Sequence, residues 1–120
     1  MKNKTIENII QTLKKKDVDQ IRSISQGTSD PRPLAYKWSR SSYKPEVVSI
    51  NNGKKDLYAV ENKINKKNIS DLISKWILFG LEARKNGGNF YLFVPEKQVD
   101  YCQEIINEKR LSAKVMAAMS

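Results

Sequence analysis

The sequence predicts an α/β fold: a mixed β-sheet flanked by helices, in the order α-β-β-β-α-β-α. Three observations carry that reading. Asn51-Asn52-Gly53 separates two stretches of strand character, and Asn-Gly is a strong hairpin signal. Leu72, Ile73, Trp76, Ile77, Gly80 and Leu81 follow helical spacing over 71–85, a helix long enough for a right-handed crossover between parallel strands. Phe90-Tyr91-Leu92-Phe93-Val94 is a nearly continuous apolar run closed by Pro95, as in a strand buried on both faces.

The elements follow in order. Ile6, Ile9, Ile10 and Leu13 form one helical stripe with Thr5 as N-cap, and Val18, Ile21 and Ile24 extend the spacing past Lys14-Lys15-Lys16. The triple lysine is either a solvated face or a phosphate contact. Gly27, Ser29, Asp30, Pro31 and Pro33 mark residues 26–33 as a loop. Leu34 to Trp38 reads as a short strand, and 46–50 as a second. Residues 56–64 alternate, with Leu57, Ala59, Glu61 and Lys63 on one face and Tyr58, Val60, Asn62 and Ile64 on the other; the second face is expected to be core. Ser70 is placed to cap the helix 71–85, and Asn86-Gly87-Gly88 to end it. A last helix over about 97–110 turns Val99, Cys102, Ile105 and Ile106 inward. The tail 111–120 is open between strand, helical turn and disorder.

The chain has 120 residues, which fits one domain, 1–120, with a core over about 5–110. Hydrophobic residues at 39% and charged residues at 29% place it among globular rather than disordered chains. Lys plus Arg outnumber Asp plus Glu by 22 to 13, a net charge of +9 spread along the chain. That balance favours a polyanion, nucleic acid first, with solubility alone as the other reading. There is no histidine, which excludes His-dependent triads and His zinc sites. Cys102 is the lone cysteine; it suits a reducing compartment and is expected to be core rather than chemistry. No apolar run approaches the length of a membrane span, and no signal-peptide pattern follows the basic N-terminus. The expected location is therefore cytoplasmic, with no membrane contact.

Glu61-Asn62-Lys63 puts an acid and a lysine two residues apart near a strand end. Such triplets are common by chance, and the setting is what matters. Glu46 directly follows Pro45 at the start of the preceding strand, and the Asn-Gly hairpin brings the two strands together. Two carboxylates, main-chain oxygen and water make a hard-oxygen site suited to Mg²⁺ or Mn²⁺. A lysine beside it can orient a water and stabilise charge on a phosphate.

Pro45-Glu46, followed after fifteen residues by Glu61-x-Lys63, resembles the PD-(D/E)xK nuclease superfamily. The stretches KPEVVSI, DLYAVENKI and NFYLFVP are similar to its core strands, and the element order to its restriction-endonuclease-like core. The resemblance covers roughly residues 5–110 and implies a divalent metal on Glu46 and Glu61, with Lys63 assisting the attacking water. It also implies accessory roles for Glu7 on the first helix, which is otherwise a first-turn acid favoured by the helix dipole, and for Lys75 on the helix after the motif, otherwise a surface lysine. The departure is Glu46 where the family usually has Asp, a displacement of about 1 Å to which catalysis is sensitive. Asp56 is the fallback ligand.

In segment 32–44, cations alternate with aromatics. Arg32, Lys37, Arg40 and Lys44 are candidates for the phosphate backbone, while Tyr36 and Trp38 are assigned mainly to packing. The expected function is a Mg²⁺-dependent endonuclease acting on DNA ahead of RNA, as a homodimer or with a protein partner. The alternative is a noncatalytic binding or interaction module on the same fold, a subunit or inhibitor in a mobile-element or defence system.

Overall fold

The computed structural model describes residues 2–25, 29–36 and 42–118. Helix α1 (Lys2–Lys15) buries Ile6, Ile9, Ile10 and Leu13 on the expected stripe. It starts before Thr5, which is therefore a buried helical residue and not the N-cap. The helix does not run on through Val18, Ile21 and Ile24. Asp17 takes the left-handed conformation, φ 55°, and the chain turns into strand β1 (Gln20–Ser23). There the backbone pairs antiparallel with strand β2 (Val47–Asn51), from Gln20 opposite Ile50 to Ser23 opposite Val47. Cross-strand pairing outweighs the local helical spacing.

The first strand is thus at 20–23, and the described part of the expected strand, 34–36, forms none. Leu34 makes only an isolated bridge, exchanging two backbone hydrogen bonds of 2.7 Å with Tyr43. Lys37, Trp38 and Arg40 lie outside the described residues. The hairpin forms as expected: Asn52 and Gly53 take φ values of 54° and 77°, the two left-handed positions of a type I′ turn, between β2 and strand β3 (Lys54–Val60).

Helix α2 (Ile69–Lys85) crosses to strand β4 (Phe90–Val94), which lies parallel to β3. The helix begins after Asn68 and not after Ser70. The Asn68 side chain accepts from Asn65 N–H at 2.9 Å and donates to the Lys63 carbonyl at 2.8 Å, which fixes the turn before the helix. At its far end Gly87, φ 73°, donates to Arg84 and Gly88 to Ala83, the paired bonds of a Schellman end. A short 3-10 turn leads into helix α3 (Val99–Lys109), and the tail resolves as strand β5 (Lys114–Ala117), parallel to β4. The sheet order is β1-β2-β3-β4-β5, so the architecture is α/β with a five-stranded mixed sheet and three helices.

Helices cover both sides of this sheet. On one, α2 and α3 pack Trp76, Phe79, Cys102 and Ile106 over Leu57, Ala59 and Leu92. On the other, α1 packs over Val47, Tyr58 and Val60. Leu57 and Ala59 are as fully buried as Val60, which corrects the expectation of one core face: β3 is the middle strand, with apolar helices on both sides.

Gly88 is set by close approach. A Cβ there would run into the Lys55 carbonyl oxygen, where the end of α2 meets the start of β3. Gly88→Ala is expected to lower the unfolding free energy by about 1–3 kcal/mol in urea titration, because the backbone has to shift to admit the methyl group.

Candidate functional site

Glu46 sits where β1, β2 and β3 converge. Its N–H donates to the Tyr58 carbonyl at 3.1 Å, and its carbonyl accepts from Ile24 at 3.1 Å. Its side chain is turned inward, and Oε1 accepts the Val60 N–H at 2.6 Å. Oε2 lies 3.8 Å from Lys2 Nζ, at the N-terminus of α1. The residue is only 6% exposed. Burial pushes its carboxyl above the ordinary glutamate value, and the nearby Glu61 charge adds to that; the Val60 N–H, Lys2 and Lys75 oppose it.

Glu61 is the first residue beyond β3. Its N–H still bonds Phe93 of β4 at 2.9 Å, so its backbone is held by the parallel ladder. Oε2 accepts from Lys75 Nζ at 2.6 Å and from Trp76 Nε1 at 3.0 Å, two successive residues of α2. Trp76 itself is fully buried. Glu46, Glu61 and Lys75 are therefore gathered at the end of the two central strands.

The other expected site residues are placed differently. Strand alternation stops at Val60, and both Asn62 and Lys63 are exposed as the chain turns toward α2. Lys63 forms no ion pair with a described residue; the ammonium on Glu61 belongs to Lys75. Glu7 is exposed and accepts from Ser25 Oγ at 2.7 Å. Asp56 is at the other end of β3, where Oδ1 accepts the Asn89 N–H at 2.7 Å, so it is no alternative ligand. Lys44 pairs with Asp30 at 3.1 Å, and Arg32 lines a separate cavity. Tyr43 packs against the core and its hydroxyl donates to Asp71 Oδ1 at 2.8 Å, whereas Tyr36 is exposed and is held to α2 by a hydroxyl bond to the Ser74 carbonyl at 2.6 Å. Cys102 is buried, and burial, with the Glu61 charge, pushes its thiol up to about 11, so it stays a neutral core group.

Among the described residues no three Asp, Glu or Cys side chains gather into a metal cluster. The two-carboxylate set is nonetheless of the kind Mg²⁺ accepts, since that ion is usually held by one or two carboxylates with water and substrate phosphate completing the shell. The Glu61 charge adds to the cost of ionising Glu46, and a bound cation would offset it. Sequence reasoning missed Lys2 and Trp76 as partners of the acids. Nothing local marks Lys2, but a buried Trp needs an acceptor for its N–H, which is a usable signal at Trp76.

No helix among the described residues is long and apolar enough to cross a membrane. Compared with protein-family models, curated proteins and solved structures, the chain matches none.

Because burial raises Glu46, the native state holds this proton more tightly than the unfolded chain does. The stability it contributes is fully present below 4.5, the ordinary value, and is lost as pH rises through the raised native value. Glu46→Gln keeps an acceptor for Val60 N–H and has no proton to lose. Urea midpoints at about pH 4 and about pH 7 should therefore fall less with pH in the variant than in the parent protein.

Proposed function

We propose that the chain is a Mg²⁺-dependent nuclease with a restriction-endonuclease-like, PD-(D/E)xK-type core. The observation that carries this reading is the pair of buried carboxylates, Glu46 and Glu61, on adjacent strands with Lys75 against them. Glu46 Oε2 and Glu61 would hold the cation, with main-chain oxygen and water beside them. Bound there, Mg²⁺ would supply Lewis-acid activation of a phosphate oxygen and a water of lowered pKa.

The chain's own groups do the rest. Val60 N–H and Trp76 Nε1 each fix one carboxylate oxygen, so both acids are oriented before any ligand arrives. Lys75, rather than Lys63, is the lysine of the site: its ammonium is already at 2.6 Å from Glu61, placed to orient a water and to stabilise charge developing on phosphate. The longer Glu46 side chain has a use here, since it reaches back to Val60. The net charge of +9 draws a polyanionic substrate, DNA ahead of RNA. A single site per chain acting on two strands calls for a homodimer or a partner.

The second reading is a noncatalytic nucleic-acid-binding or interaction module on the same core. What favours it is that one oxygen of each acid is already taken by a protein donor, so the cluster can serve structure alone.

Metal-dependent nicking of plasmid, branched DNA and RNA separates the two. Glu61→Ala should abolish cleavage and leave DNA binding equal or tighter, since it removes negative charge facing phosphate. Lys75→Ala should lose about 10²–10⁴ in rate, and Lys63→Ala should keep most of it. Glu46→Asp should lower activity, because the shorter acid gives up Val60. A protein that binds these substrates and cuts none in Mg²⁺ or Mn²⁺ is the noncatalytic module.

A further inference from the structure

A second site lies on the same face of the sheet as the two acids. Val48, Ile50 and Leu57 floor a cavity of about 250 Å³, walled by Leu34 and Pro45. Arg22, Arg32 and Lys55 stand around it. Their charges are not equivalent. Lys55 is paired with Glu82 at 2.8 Å. Arg22 meets a neutral group: with the Gln20 amide turned to present its oxygen, Nε and Nη2 donate to it at 3.0 and 3.2 Å. Among the described residues neither Arg22 nor Arg32 has a carboxylate within ion-pair distance, although Arg22 is half-buried.

Two uncompensated guanidinium groups beside an apolar floor complement a ligand with a dianion at one end and a flat apolar body at the other. Guanidinium is the group best shaped for phosphate, which it can hold through paired N–H donors. The volume of about 250 Å³ falls just below the roughly 300–1,000 Å³ of most ligand sites, so it holds no more than one nucleoside phosphate. Position supports the same occupant. Pro45 of the wall is followed directly by Glu46, and Arg22 stands opposite Val48 in the β1–β2 register. Val48 is two residues along the strand from Glu46, about 7 Å.

We propose that this cavity is a nucleotide subsite, seating the phosphate of one nucleoside phosphate on Arg22 and Arg32 and its base against Leu34 and Pro45. Its place beside Glu46 as part of a bound strand rests on the nuclease reading; its chemistry does not. The occupant is either a free mononucleotide or one nucleotide of a strand, and both present the same phosphate and base.

The test is an amide-shift NMR titration of the full chain with dAMP, deoxyadenosine and inorganic phosphate, repeated on Arg22→Gln and Arg32→Gln. Arg32 is exposed on a loop, so its variant carries the test even if the β1 variant fails to fold. dAMP should shift the amides of Leu34, Val48 and Ile50 and bind more tightly than either fragment. Each substitution should weaken dAMP by about tenfold. No dAMP binding, equal binding of phosphate and dAMP, or unchanged affinity in the folded variants would overturn the subsite. Displacement of dAMP by a short oligodeoxyadenylate assigns the site to a strand, and failure to displace it assigns the site to a free nucleotide. dAMP binding without cleavage of any nucleic acid removes the nuclease reading alone; cleavage without dAMP binding removes the subsite alone.

Discussion

Two carboxylates withdrawn from water at the ends of neighbouring central strands are the constraint on which the arrangement depends. Glu46 and Glu61 are the two charged residues buried among the described residues. Taking an ion out of water costs roughly several kcal/mol, so such groups persist only where donors meet them. Here the donors come from three separate elements: Val60 N–H at the end of β3, Lys2 at the start of α1, and Lys75 with Trp76 on α2. The acids thereby pin the start of one helix and the middle of another to the same end of the sheet.

Trp76 links this polar end to the core. Its ring is fully buried among the residues beneath α2 and α3, while its one polar atom is spent on Glu61. The position of the Glu61 backbone is set in turn by the parallel ladder, through its bond to Phe93. The site therefore inherits the rigidity of β3 and β4. It also lies just beyond the carboxyl end of β3, where open α/β sheets commonly place ligands.

Charge is sorted across the same face. The acids occupy the end of the sheet, and Arg22 and Arg32 stand beside a neighbouring cavity with no carboxylate partner among the described residues. A chain of net charge +9 could have spread its excess evenly as a solvated coat. Two arginines beside an apolar floor and two buried acids instead put both signs of charge side by side at one end of the sheet.

Much of this was legible in the residues. The Asn52-Gly53 turn, the apolar run 90–94, the helix ending at Asn86-Gly87-Gly88 and the inward Cys102 are local patterns, and local backbone preference or simple periodicity decides them. Glu46 and Glu61 could be named as a pair because the hairpin brings their strands together. The misplaced elements were those decided by partners distant in sequence. Residues 20–23 became a strand because β2 offered them a ladder, and the described residues 34–36 gave only a bridge at Leu34. The lysine of the site turned on where a strand stops: alternation carries Lys63 to the same side as Glu61 only while the chain stays extended, and β3 ends at Val60. Lys75 and Lys2 reach the acids from helices that no spacing in the sequence connects to them. The sequence by itself determined which groups are available and where the chain turns. Only the tertiary structure decided which of the many lysines meets a buried carboxylate, because that depends on helix packing and desolvation, which act between residues far apart along the chain.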